Sequence, residues 1–526
     1  MARVQNLLTR CARRFVRDRS GNVAMMWGLM GAVLIGLLGL AVDFTRAQAI
    51  RAQLQNAVDG AVLAAARDPN LSESERNRIA RGFFDAEIAQ LGDVSGVEFS
   101  LSSLPSGGVR GEASVAMPVS LAAIIRDEDW RIGVSAEAEQ SGVNLEVAMV
   151  LDTTGSMAGQ RIADLRVAAA DLVSIVVRDD QEPFYSKVAL VPYSMAVNVG
   201  PYAEEIRGPV RAPTTITNAT RASPVVVTST AHGLANGDVV YIDGVAGMTE
   251  LNSRTFTVSG VTANSFALQG VDGRSYRRYR GGGEAHCTEA GCDYFLFTNA
   301  GSPRQERVFQ ISSCVTERAG GNAYTDVSPR SSLLGRNYPS ASNPCPADNV
   351  IVPLTDNADM ITNRIEDLDA SGSTAGHIGI AWGWYLLSPR FGYLWPSVSA
   401  PGSYGDEDTL KIAVIMTDGE YNSAYCNGVI SRDSTSGSGS ASDHINCDAP
   451  NGHSFTQAQR LCREMKDAGI IIYTVGFEIV DDQRARDLVN NCATDASHVY
   501  MADSGSELRS AFRAIATSIT QLRISR

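Results

Sequence analysis

Val23 to Val42 is a run of twenty residues without a charge, rich in Leu, Met, Ala and Gly. Twenty residues rising 1.5 Å each make about 30 Å of helix, the thickness of a bilayer's hydrocarbon layer. Inside lipid every backbone polar group must be paired within its own segment, so such a run can only be helical. Arg3, Arg10, Arg13, Arg14, Arg17 and Arg19 precede it against Asp18, a net +5, and Asp43 follows it. The positive-inside rule then puts residues 1–22 in the cytoplasm and everything beyond Asp43 outside. The run is long for a cleaved leader, whose apolar stretch is shorter and ends in small residues. We expect an uncleaved, single-pass anchor.

The remaining chain carries −18 of the total −13. An acidic body is a poor partner for nucleic acid, which needs clustered Lys and Arg. Length allows two to four domains. Cys11 precedes the span, while Cys287, Cys292, Cys314, Cys345, Cys426, Cys447, Cys462 and Cys492 follow it. An even number in an oxidising compartment points to disulfides, and no Cys-x-x-Cys occurs. Connectivity is not written in a sequence. Pairing of neighbours gives Cys287–Cys292, Cys314–Cys345, Cys426–Cys447 and Cys462–Cys492.

Beyond the span, apolar residues of 45–68 recur at helical spacing, which predicts that the anchor helix continues outward. Short strands are expected at 97–101, 113–119 and 131–138, giving residues 43–143 a small helix-and-strand region. From residue 144 to 526 the pattern alternates strand and helix, as a doubly wound α/β sheet requires. Strands are expected at 145–151, 187–194, 410–417, 470–477 and 499–502. Helices are expected at 162–177, 374–387, 456–468, 482–492 and 507–522. Residues 212–353 exceed any crossover and read as an insertion. Its first part, 212–283, alternates short strands with Gly-containing turns, a small all-β module. Its second part, 284–353, is loop-rich and holds four cysteines. Residues 434–442, all Ser, Thr, Gly and Ala, read as a flexible loop.

Chemistry concentrates where the strand 145–151 ends, in Asp152-Thr153-Thr154-Gly155-Ser156. One carboxylate and two hydroxyls at a strand-to-helix turn suit a hard divalent cation, which wants oxygen ligands and keeps several waters. The same residue types also cap helices. This pattern resembles the metal-ion-dependent adhesion site of the von Willebrand factor type A family. That resemblance implies two further ligands downstream. Thr374, in Ser371-Gly372-Ser373-Thr374, matches the second-loop hydroxyl, and Asp418, after the strand 410–417, matches the late carboxylate. The implied site is Asp152, Thr154, Ser156, Thr374 and Asp418 around Mg²⁺ or Mn²⁺, open to a carboxylate from a partner. The departure is Thr154, where many relatives have Ser.

Gly39-Leu40-Ala41-Val42-Asp43, followed by Leu54-Gln55-Asn56-Ala57-Val58-Asp59-Gly60-Ala61-Val62, is similar to the N-terminal segment of the TadE/TadG-like proteins of tight-adherence (Flp) pilus assembly. With a type A domain after it, the arrangement resembles TadG. The resemblance implies a bacterial inner-membrane protein facing the periplasm, which binds a pilus-assembly partner through an acidic side chain. The alternative is a surface adhesin for host or neighbouring cells. Ala231-His232-Gly233-Leu234-Ala235-Asn236-Gly237-Asp238, with Phe266-Ala267-Leu268, resembles a small β module met in ubiquitin-activating enzymes and in phage and surface proteins, and only its fold is carried over. An enzyme is not expected: no phosphate loop, Gly-x-Ser-x-Gly elbow or His-Glu-x-x-His helix occurs, and the chain has three lysines, Lys187, Lys411 and Lys466. His377 lies just after Thr374 and reads as a packed or exposed helix residue rather than a base, while Glu420 either reaches the metal rim or caps a turn.

Overall fold

The structure, a computed structural model, describes residues 21–67, 71–89, 91–92, 94–104, 108–119, 129–138 and 142–524. The basic segment up to residue 20, with Cys11, lies outside them. Contacts divide the chain into two units, Met1–Ser141 and Gly142–Arg526.

In the first unit one helix, α1 (Gly21–Ala66), covers both the apolar run and its expected extension. The stretch Met25–Ala66 is long and apolar enough to cross a membrane. Its early side chains, among them Met25, Trp27, Leu29 and Leu38, are exposed despite being apolar. Its later half turns Leu54, Ala57, Val58, Ala61, Val62 and Ala65 into a core at helical spacing. Helix α2 (Glu73–Ile88) follows, a helix the sequence reading did not anticipate. It is started by a capping box, in which Ser72 accepts from the Glu75 amide and Glu75 returns the bond. Phe84 of α2 stacks on Phe99 at 4.4 Å. Three antiparallel strands, Ser95–Ser103, Val109–Met117 and Trp130–Ala138, complete the unit. Gly111 marks where α1 meets the sheet: a Cβ there would lie 2.5 Å from Val62 Cγ2.

The second unit is built on a six-stranded sheet. Its strands in chain order are β1 (Asn144–Asp152), β2 (Ser186–Tyr193), β3 (Val352–Thr355), β4 (Thr409–Thr417), β5 (Ile471–Phe477) and β6 (Val499–Ala502). Their order in the sheet is β3-β2-β1-β4-β5-β6. Four of the five pairings are parallel, and the edge strand β3 runs antiparallel to β2. β1 and β4 are buried nearly end to end, as central strands covered on both faces must be.

Helices α3 (Gln160–Val176), α4 (Ala358–Glu366) and α8 (Gly505–Ile524) share one core with the sheet. Helices α5 (Gly376–Leu387), α6 (Ser454–Asp467) and α7 (Gln483–Cys492) share the other. The short pair β3 and α4 had no counterpart in the sequence reading. Every residue of α5 is buried. It reaches the sheet through glycines: a Cβ at Gly379 would lie 2.6 Å from the Tyr193 ring, and one at Gly383 would lie 2.5 Å from Val150 Cγ2. Near the amino ends of the central strands, Lys411 of β4 pairs with Glu146 of β1, both buried. Glu146 also accepts from Tyr185 Oη at 3.0 Å and the Gly402 amide at 2.6 Å.

Between β2 and β3 an antiparallel seven-stranded sheet closes around Val227, Val240, Ile242, Phe256, Phe266 and Leu268. It does not stop at 283: Glu284–Cys287 pairs with Val239–Asp243 as one of its strands. The cysteine-containing stretch carries further short antiparallel pairs. The four neighbour disulfides all form. Residues 434–442, read as flexible, are instead fastened: the Thr435 amide donates to Asn422 O at 3.0 Å, and Ser438 is 1 % exposed. Small hydroxyl residues satisfy their own turns here. The chain as a whole is mixed α/β.

Candidate metal centre

β1 and β4 are neighbours, and Asp152 ends one while Asp418 follows the other. In the sheet order given above, these two strands run parallel, and successive strands are added outward in one sense on the β1 side and in the opposite sense on the β4 side, a switch that opens a crevice at their carboxyl ends. Side-chain bonds join four of the five expected residues across it. Thr154 Oγ1 donates to Asp152 Oδ1 at 2.6 Å and lies 2.9 Å from Ser156 Oγ. Ser156 Oγ donates to Asp418 Oδ1 at 2.8 Å. Asp152, Thr154 and Asp418 are buried, whereas Ser156 is exposed.

Thr374 joins differently. Its loop is docked main chain to main chain: the Gly155 amide donates to Gly372 O and the Ser371 amide to Thr153 O, both at 2.9 Å. Gly372 has φ +83°, and a Cβ on Gly155 would lie 3.3 Å from Gly372 O, so both positions favour glycine. The Thr374 amide donates to Asn422 Oδ1 at 2.9 Å. Its hydroxyl is not part of the bonded chain of Asp152, Thr154, Ser156 and Asp418.

Further residues hold the set together. Tyr193 Oη donates to Asp152 Oδ2 at 2.8 Å and Thr417 Oγ1 to the same oxygen at 3.0 Å. Asn343 clasps Ser373, donating to its hydroxyl at 2.9 Å and accepting its amide at 3.1 Å. Asn349 donates to Thr153 Oγ1 at 3.0 Å. Asn343 and Asn349 come from the cysteine-containing stretch, so the insertion buttresses the rim. At the edge, Arg161 donates to Asp418 Oδ2 at 3.2 Å and also pairs with Glu478. Glu420 pairs with Arg484. His377 is fully buried and lies 3.6 Å from Glu317, away from the bonded set.

Burial raises the pKa of Asp152 even though Thr154, Tyr193 and Thr417 all donate to it. Burial, then the charge of Asp152, raises that of Asp418 against the opposing pull of Ser156 and Arg161. Two carboxyl groups are thus held together out of water where their charged forms are disfavoured, and a divalent cation would favour the charged form of both. Among the described residues no three His, Cys, Asp or Glu side chains converge. The donors here are two carboxylates and neighbouring hydroxyls, all hard oxygens, which fit Mg²⁺ or Mn²⁺ rather than a soft metal.

Residues 21–68 match the family described as Flp pilus-assembly TadE/G-like. The chain therefore carries a TadE/G-like segment at these residues. Residues 223–289, the antiparallel module, match the ubiquitin-activating enzyme E1 FCCH domain. No curated protein is similar enough in sequence to count as a relative. Solved structures that resemble the chain include the pilus adhesin SpaC of Lactobacillus rhamnosus GG, at 12 % identity and TM-score 0.31, over 81 % of this chain and 34 % of that one. This chain thus spans about a third of SpaC. The von Willebrand factor domain of the type V pili tip protein Mfa5 of Porphyromonas gingivalis matches at 11 % identity and TM-score 0.34, over 73 % of this chain and 97 % of that one. The adhesive tip pilin GBS104 of Streptococcus agalactiae matches at 10 % and 0.33, over 72 % and 100 %.

Proposed function

We propose that this protein is a membrane-anchored, metal-dependent binding component of tight-adherence (Flp) pilus assembly, with its second unit a doubly wound type A domain in the periplasm. The observation that carries the reading is the pair Asp152 and Asp418, on adjacent parallel strand ends and joined through Thr154 and Ser156. The sheet order with one antiparallel edge strand supports the type A assignment, and the TadE/G-like segment supports the pilus context. The exposed apolar flank of α1 supports an anchor.

Asp152, Thr154, Ser156, Thr374 and Asp418 would hold Mg²⁺ or Mn²⁺. The bound ion supplies a Lewis-acidic point able to accept a carboxylate. Ser156, the exposed member, faces the side from which an acidic partner side chain would come. The chain's own part is to fix the donors: Tyr193 and Thr417 orient Asp152, and Asn343 and Asn422 hold the Thr374 loop. The role is recognition rather than turnover.

The test is thermal unfolding of the detergent-solubilised full chain with and without Mg²⁺. A ligand present at a hundred times its Kd stabilises by about 2.7 kcal/mol. Asp152→Ala should lose that stabilisation, and a variant that keeps it would contradict the site. Protease access in intact cells against spheroplasts separates a periplasmic component from a surface adhesin.

A further inference from the structure

Away from the metal rim, the charges of Arg207 and Arg336 have no ion-pair partner among the described residues. Arg207 ends the short helix Ala203–Arg207 and is 6 % exposed, and Arg336 ends the strand Gly335–Arg336. The segments that carry them are tied together, the Leu334 amide donating to Ile206 O at 3.0 Å. The next residue after Arg207 is Gly208, at φ +86°, and a Cβ there would lie 3.2 Å from Arg336 Nη2. Among the described residues neither guanidinium has a hydrogen-bond or ion-pair partner. Nε and Nη1 of Arg207 and Nε of Arg336 are buried and unbonded.

The surroundings do not offset this charge. Burial lowers the Arg207 pKa and Arg336 lowers it further, while the acidic Glu204 acts only from beyond ion-pair distance. Tyr338 stands in the field of both arginines. Its hydroxyl is already engaged, donating to Cys292 O at 2.9 Å and accepting from the Gly291 amide at 3.2 Å. A hollow of about 300 Å³ opens beside Arg336 and Tyr338, with Leu333, Leu334, Asn427 and Asn451 in its wall. Glu317 lines it too, but its carboxylate is turned inward: Oε1 accepts the Tyr425 amide at 2.7 Å, and Oε2 is buried.

A buried charge without a counter-ion, as at Arg207, is among the most costly arrangements a fold can hold, and the like charge of the partly buried Arg336 compounds it. The guanidinium fork matches carboxylate and phosphate oxygens in pairs. We infer that Arg336 binds a small oxyanion, a phosphate or a carboxylate, taken up in the hollow beside Tyr338, with the buried charge of Arg207 behind it adding to the attraction. The site is separate from the metal rim and does not rest on the pilus reading.

Titration calorimetry of the detergent-solubilised full chain tests it, with inorganic phosphate and acetate as probes and chloride at matched ionic strength as control. Saturable uptake of either oxyanion, weakened tenfold or more by Arg336→Gln, supports the site. Preference for phosphate identifies a free or esterified phosphate as the occupant class, and preference for acetate identifies a carboxylate. If Arg336→Gln does not fold, Arg336→Lys, which keeps the charge but loses the fork, should still weaken uptake. No saturable uptake, equal uptake of chloride, or binding unchanged in the folded variant overturns the inference.

Discussion

Gly379→Ala should damage cation binding from one helix away. The added methyl would sit 2.6 to 2.9 Å from three atoms of Tyr193, closer than carbon atoms tolerate, inside a fully buried helix with no room to retreat. Overpacking of this kind costs about 1–3 kcal/mol. The alanine returns about 1 kcal/mol of helix propensity. The expected net loss is therefore about 0–2 kcal/mol, too small to unfold the unit. The second effect is the informative one. Tyr193 holds Asp152 through a 2.8 Å bond, and bonds to charged groups contribute about 1.5–3 kcal/mol. A displaced ring loosens that carboxylate and with it the Mg²⁺-dependent rise in unfolding temperature. Two companions separate the effects in the same assay. Tyr193→Phe removes the bond without overpacking and should lose the cation response. Gly383→Ala presses on Val150 instead and should cost stability while leaving that response intact. If Gly379→Ala and Tyr193→Phe both keep the full response, Tyr193 does not position Asp152 and the reasoning fails.

Two further outcomes follow from ion pairs. Lys411→Met leaves Glu146 charged and buried without its cation, which should cost about 3–5 kcal/mol in urea unfolding, and restoring stability with Glu146→Gln in the same chain would tie the loss to that pair. Asp171 of α3 accepts from Arg509 and Arg513 of α8, chiefly through Arg509, and its pKa is lowered. Because the folded value lies below the unfolded one near 4, the stabilisation is present above that unfolded value and is lost as pH falls through the folded one. Both arginines are half exposed, so the effect should stay below about 1 kcal/mol, and Asp171→Asn should flatten that part of the acid limb of the stability curve.

Much of the scaffold was legible because its central strands are unbroken apolar runs. β1 and β4 need no long-range information to be recognised, and Asp152 and Asp418 stand where those runs stop. Thr154 and Ser156 share a turn with Asp152, so their convergence is local. The supports were not legible. Tyr193 reads as an ordinary strand aromatic, and its task depends on which neighbour its hydroxyl meets. Asn343, Asn349 and Asn422 are loop residues of common type, far from Thr153 or Thr374 in the chain. The glycines at 376, 379 and 383 did carry a readable signal, a small-residue stripe on an otherwise bulky helix. Ser72 and Glu75 carried another, three residues apart at the start of α2. β3 spans four residues and offers too little pattern to be found unaided.

The clasp of Asn343 on Ser373 has a practical corollary for anyone wishing to trim this molecule. Excising 212–353 looks nearly harmless, since the antiparallel module has its own interior and, of the six sheet strands, only the edge strand β3 is clipped by the cut. That excision would also remove Asn343 and Asn349, which brace Ser373 and Thr153. A minimal version should keep the stretch around 343–349, or graft substitutes for it, before any failure to take up a cation is blamed on the ligands themselves.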